Sequence, residues 1–225
     1  MDWKERITQE KSLLQVYWKA RRVATARFNA RFSVGVFLLI CASLLANAYY
    51  GMPVAPYHAL IEGVRIIADL GFAFTTAILG FLVAGFAIFA SITKPEVFVL
   101  LAKLEHKKGS ISRLQFIFFN FLLVFIHYLA FLAVSVVLKL TLFSGGPLSG
   151  ALRLVYDHDP SYIIYSASVA YAALVGWFVF LLMLLKSFIW NMYQAVLVTI
   201  TTGALLQEID DGQNQSKGTD QHEHE

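Results

Sequence analysis

Polar and apolar positions separate along this chain on a long scale. Four apolar stretches, roughly 33–52, 69–92, 114–138 and 162–186, stand apart from short segments that hold nearly all the charge. About 18 or more apolar residues read as a transmembrane helix, because about 20 residues of helix cross the hydrocarbon core. The pattern therefore predicts an all-α integral membrane protein, a four-transmembrane-helix bundle with cytoplasmic amphipathic helices.

The segments between the spans carry a shorter period. Within 1–31, Ile7, Leu14, Tyr17, Trp18 and Phe28 fall near one helical face, and Arg21, Arg22, Arg27 and Arg31 crowd the approach to the first span. That predicts a basic amphipathic helix on the membrane surface, or one packed on the rest of the protein. Pro53 and Pro56 end the first span, and 57–68 re-enters with His58, Glu62 and Arg65. Thr93-Lys94-Pro95-Glu96 fits the capping box and predicts a helix over 95–107. Val97, Leu100, Leu101 and Leu104 form its apolar face, Lys103, Lys107 and Lys108 its wet one, and Gly109-Ser110 ends it. The glycine-rich segment 144–160 reads as an exposed connection. After Tyr162 the apolar character persists to Leu206, interrupted by Lys186, Asn191 and Gln194. No turn residue lies between Gly176 and Gly203 to separate a fifth span, so 187–206 reads as a helical extension of the fourth. Residues 207–225 carry no apolar payload and are expected to be a disordered polar tail.

Composition supports the membrane assignment: 58% of the 225 residues are hydrophobic and only 15% charged, against about 25% charged in a typical soluble domain. The net charge of +3 matters less than where the cations sit. Eight lie before the first span (Lys4, Arg6, Lys11, Lys19, Arg21, Arg22, Arg27 and Arg31) and five between the second and third (Lys94, Lys103, Lys107, Lys108 and Arg113). The opposite side has only Arg65, Lys139 and Arg153. By the positive-inside rule both termini face the cytoplasm of a cell (inner) membrane, which requires an even number of spans. No cleavable leader is expected, since the N-terminus is charged and long before its first apolar run.

Candidate chemistry is sparse. Ala73, Ala77, Gly80, Ala84, Ala87 and Ser91 step by four and three through the second span, a heptad seam of the smallest side chains. Ser168, Ala172 and Gly176 repeat the idea in the fourth. Lipid tails are as apolar as leucine, so helices in a bilayer associate through close contact, and small residues permit it. Both faces are expected to pack, either within the chain or against a second copy. Ionisable groups in spans are functional candidates by default. Asp69 and Lys139 sit at similar depth on the outer side and are a candidate ion pair. Asn120 and His127 share a face of the third span and could be structural or line a polar path. Asp69 lies about eleven residues from the level of His127, about 16 Å by helical rise, too far for a catalytic pair. Cys41 stands alone in an apolar run and reads as a small buried hydrophobe. No haem, disulfide-exchange, small-multidrug-exchanger or intramembrane-protease constellation is present, nor any phosphate-binding or zinc motif in a suitable context. No catalytic residue, metal or cofactor is expected. The expected partners are the lipid bilayer, with anionic headgroups at the basic N-terminus, a second copy of the chain, or a soluble cytoplasmic protein, and no nucleic acid. The functional expectation is a self-associating, non-enzymatic, channel-like or effector module. The alternatives are a membrane anchor that recruits a soluble partner, and a small-solute or lipid carrier or enzyme.

Overall fold

A backbone that enters lipid finds no water for its N–H and C=O groups, so an apolar stretch must close its hydrogen bonds within a helix. The computed structural model describes residues 12–23, 27–50, 57–105, 111–158 and 160–222. Among them the helices are α1 (Leu13–Val23), α2 (Arg27–Tyr49), α3 (Tyr57–Ile92), α4 (Pro95–Lys103), α5 (Arg113–Thr141), α6 (Pro147–His158) and α7 (Pro160–His222). The remaining pairing is one isolated antiparallel bridge, Glu105 with Ser112. Four helical stretches are long and apolar enough to cross a membrane: Phe28–Asn47, His58–Ser91, Arg113–Thr141 and Ser161–Leu205. The described residues thus form an all-helical fold whose four long apolar helices fit a membrane protein.

The fold divides into two compact units, one of residues 25–83 and 122–187, the other of 1–24, 84–121 and 188–225. In the first unit, Leu60, Ile61 and Val64 of α3 close on Leu142 and on Ile163 and Ala167 of α7, with Leu44 of α2 and Leu152 of α6 against them. An aromatic layer also forms there. Phe131 meets Trp177 edge-on at 5.2 Å between ring centroids and Phe178 at 6.0 Å, and Phe74 lies 5.3 Å from Phe178. Tyr128 is fully buried beside them, and its hydroxyl donates to the Leu181 carbonyl at 2.9 Å. In the second unit, Val97, Leu101 and Ala102 of α4 pack on Leu114 of α5, with Val198 of α7 alongside.

Several local expectations are corrected. The segment 57–68 does not re-enter separately; it is the first three turns of α3, a helix of 36 residues. No proline interrupts it within 57–92. Arg65 pairs with Glu62 at 3.1 Å, one turn away, and its Nε donates to the Leu142 carbonyl at 2.6 Å.

The capping box forms at a different helix. The N-cap of α4 is Lys94, without a side-chain cap bond, and the Thr93 hydroxyl donates backward to the Phe89 carbonyl at 2.7 Å. The reciprocal pattern closes α5: the Gln115 amide donates to Ser112 Oγ and the Ser112 amide to Gln115 Oε1, each at 3.1 Å. Ser112-Arg113-Leu114-Gln115 is the same motif with glutamine as its fourth residue. Helix α4 is shorter than expected, ending at Lys103.

Residues 147–158, largely exposed as expected of a connection, are not a loop but form helix α6. Gly145 makes the turn with φ of +82°, Pro147 then supplies a preorganised first helical residue, and Leu152 packs on the core. The expected disordered tail continues α7 as far as His222. Extending a helix already nucleated fixes one residue per hydrogen bond gained, and no proline stops it. At the other end, Arg27 opens the span helix α2 and α1 ends at Val23. The expectations placed on Ile7, Lys4, Arg6, Lys11, Pro53, Pro56, Lys107, Lys108 and Gly109-Ser110, and on residues 223–225, fall outside the described residues.

Candidate functional site

The two small-residue seams meet different fates. In α7, Ser168, Ala172 and Gly176 are all buried, and the third explains why a glycine is needed. A Cβ on Gly176 would lie 3.0 Å from Phe37 Cβ and 3.5 Å from Phe37 Cα. The Ser33 hydroxyl donates to the Gly176 carbonyl, so α2 and α7 touch nearly backbone to backbone. In α3, by contrast, Ala73, Ala77, Gly80, Ala84, Ala87 and Ser91 are all exposed. A Cβ on Gly80 would meet nothing within 4 Å. The face that α3 does bury runs through Ala68, Gly71, Thr75, Leu82 and Phe89. Gly71 there takes the ring of Phe131 and the hydroxyl of Ser135. Ala73 follows Gly71 by two residues, and Ala77 follows Thr75 by two. At about 100° per residue that offset turns the seam to the opposite side of the helix. The sequence holds two small-residue rows on α3, and the inward one alternates with large side chains.

Asp69 and Lys139 form an ion pair at 2.6 Å in the first unit, both side chains well exposed. Lys139 Nζ also stands 4.9 Å from the centre of the Phe72 ring, a cation over an aromatic face. A small cavity of about 150 Å³ adjoins the pair, lined by Arg65, Ala68, Leu138 and Phe143. Glu62, Arg65, Asp69 and Lys139 thus balance one another in charge.

His127 directs Nδ1 to the carbonyl of Leu123, one turn back on its own helix, at 2.7 Å. With a carbonyl as partner, the proton is assigned to Nδ1. Its ring meets Phe180 edge-on at 5.3 Å. In the other unit Asn120 is buried; its Nδ2 donates to the Phe116 carbonyl at 2.8 Å and its Oδ1 accepts from Asn191 Nδ2 at 3.3 Å. That amide pair crosses from α5 to α7.

Polar contacts made by Asn29, Ser33 and Tyr128 were not anticipated from the sequence. Asn29, buried in the first turn of α2, donates Nδ2 to Ser187 Oγ at 2.7 Å and to the Met183 carbonyl at 3.0 Å. Ser33, one turn on, binds Gly176, and Tyr128 binds Leu181. The signal was available: Asn29 and Ser33 are four apart, on one face of α2. Cys41 is half-buried. Among the described residues no three His, Cys, Asp or Glu side chains gather as a metal site.

Among the described residues, open grooves run along α7 in the second unit. One, of about 330 Å³, lies by Phe89, Lys94, Val97, Thr199 and Gly203. Another, of about 370 Å³, is lined by Arg113, Phe116, Ile117, Asn191, Gln194, Ala195 and Val198. Comparison with protein-family models, with curated proteins and with solved structures gives no match.

Proposed function

We propose that this chain is a self-associating, non-enzymatic membrane module whose copies meet through the outward face of α3. The observation that carries the reading is the uncovered heptad row from Ala73 to Ser91. Within this same chain the equivalent row of α7 is consumed by intramolecular packing. Small side chains give little dispersion contact with lipid but let two helices approach closely, which favours a helix partner over acyl chains. The cation bias of the sequence supports both ends lying at the cytoplasmic face. Helix α1 fits the membrane surface there, since Leu14 and Trp18 point outward and Arg21 stacks on Trp18 at 5.7 Å. The polar side chains Asn120 and His127 already have partners within the chain, so a conducting path, in the channel-like form of the module, runs between copies and not through one.

Disulfide cross-linking in native membranes tests the contact. In a Cys41→Ser background, Gly80→Cys and Ala87→Cys should give oxidant-dependent dimers, and Thr75→Cys, on the buried face, should not. Gly80→Leu should shift the mass in gentle detergent from oligomer to monomer. Equal cross-linking from both faces, or a wild-type chain that remains monomeric, would reject self-association and favour the anchor for a soluble partner. Ion flux in liposomes separates the channel-like form from an effector platform.

A further inference from the structure

The groove beside Arg113 has the composition of a lipid headgroup site. Its polar edge is Arg113, Asn191 and Gln194; its floor is Phe116, Ile117 and Val198. Its volume of about 370 Å³ falls in the range of small-molecule sites, about 300–1,000 Å³. Arg113 is half-buried and, among the described residues, has no acidic partner. No carboxylate lines the groove. Asn191 is held in place through its bond to Asn120, so one amide is oriented before any ligand arrives.

Depth fits the same ligand. Helix α5 has 29 residues, about 44 Å by helical rise, against a hydrocarbon core of about 30 Å and about 40–45 Å with headgroups. Its first residue, Arg113, therefore falls in a headgroup layer, while Phe116 and Ile117 begin the descent into hydrocarbon. A guanidinium offers two parallel donors to a phosphate, and the apolar floor continues toward the acyl region.

We infer that Arg113, Asn191 and Gln194 bind the phosphate of one anionic phospholipid, whose glycerol and upper acyl chain lie along Phe116, Ile117 and Val198. The site requires the bilayer but not the α3 contact, so it stands apart from self-association.

Native mass spectrometry of the full chain, released from micelles holding equal phosphatidylglycerol and phosphatidylcholine, tests it. The wild type should retain phosphatidylglycerol in preference, counted per chain whatever the oligomer. Arg113→Gln should lose that preference by about tenfold, the worth of one charge-assisted hydrogen bond. Gln194→Trp, an exposed position, should fill the groove and remove bound lipid while circular dichroism is unchanged. Arg153→Gln, a cation elsewhere, should behave as wild type. Equal retention of both lipids by the wild type, or full retention by Arg113→Gln, would overturn the site. Displacement of the lipid by soluble glycerol phosphate at equal concentration would also overturn it, because the occupant would then be a phosphate without acyl chains.

Discussion

The hydroxyl of Ser33 donates to the carbonyl of Gly176, and this one contact sets how closely α2 approaches α7. The neighbouring atom at the crossing is Phe37 Cβ, 3.0 Å from where a side chain at 176 would begin. That Cβ is fixed to the backbone and does not move with the side-chain torsions, so a rotamer change of Phe37 cannot relieve the tight contact. Gly176→Ala should destabilise the bundle, and Gly176→Leu should cost about 1–3 kcal/mol or more, as overpacking does. Gly80→Leu, facing open space, should leave single-chain stability unchanged. Thermal unfolding in a mild detergent, at dilution where the chain is monomeric, compares the three.

Asn29 carries two hydrogen bonds to α7 from a buried position. Asn29→Leu keeps the volume but strips both donors, and Ser187 loses its partner. Interhelical hydrogen bonds in membranes average about 0.6 kcal/mol and reach about 1.7. The substitution should therefore cost about 1–3 kcal/mol in a detergent unfolding titration. Asn29→Gln, with the same chemistry on a longer arm, should recover only part of it.

Asp69 and Lys139 lie 2.6 Å apart, but both side chains are exposed. Exposed pairs contribute about 0–1 kcal/mol after screening. A double-mutant cycle with Asp69→Asn and Lys139→Gln should give a coupling of about 0.5 kcal/mol that fades at high salt. A coupling that persists in molar salt would mean the pair is shielded from water by lipid.

The reciprocal bonds of Ser112 and Gln115 begin α5. Ser112→Ala should cost about 0.5–2 kcal/mol, the ordinary worth of an N-cap. Thr93→Ala, whose hydroxyl does not cap α4, should cost less. Hydrogen exchange at the first turns of the two helices distinguishes them, with protection lost at 113–116 in the first variant and retained at Val97 and Phe98 in the second.

Some errors in reading the sequence share a cause. The charges of 57–68 read as a segment apart from the span, and Gly145-Gly146-Pro147 as part of an exposed connection, because single residues are weighed as breaks. A charge with a partner does not end a helix, and Pro147 starts one. Asn29 escaped notice because it lies in a stretch read as surface helix; its burial depends on Ser187, 158 positions away.

What the amino-acid order determined alone is the solvent and the secondary structure. Apolar runs about 20 residues long, separated by segments holding the charge, admit helices crossing lipid and little else, because backbone hydrogen bonding inside a bilayer must be local. Which face of each helix is covered was decided only by the tertiary structure. Gly176 and Gly80 carry a similar local signal, since both belong to rows of small residues three or four apart. One meets Phe37 and the other meets nothing, and that difference depends on how α2, α3 and α7 are placed, through contacts between residues far apart in the chain.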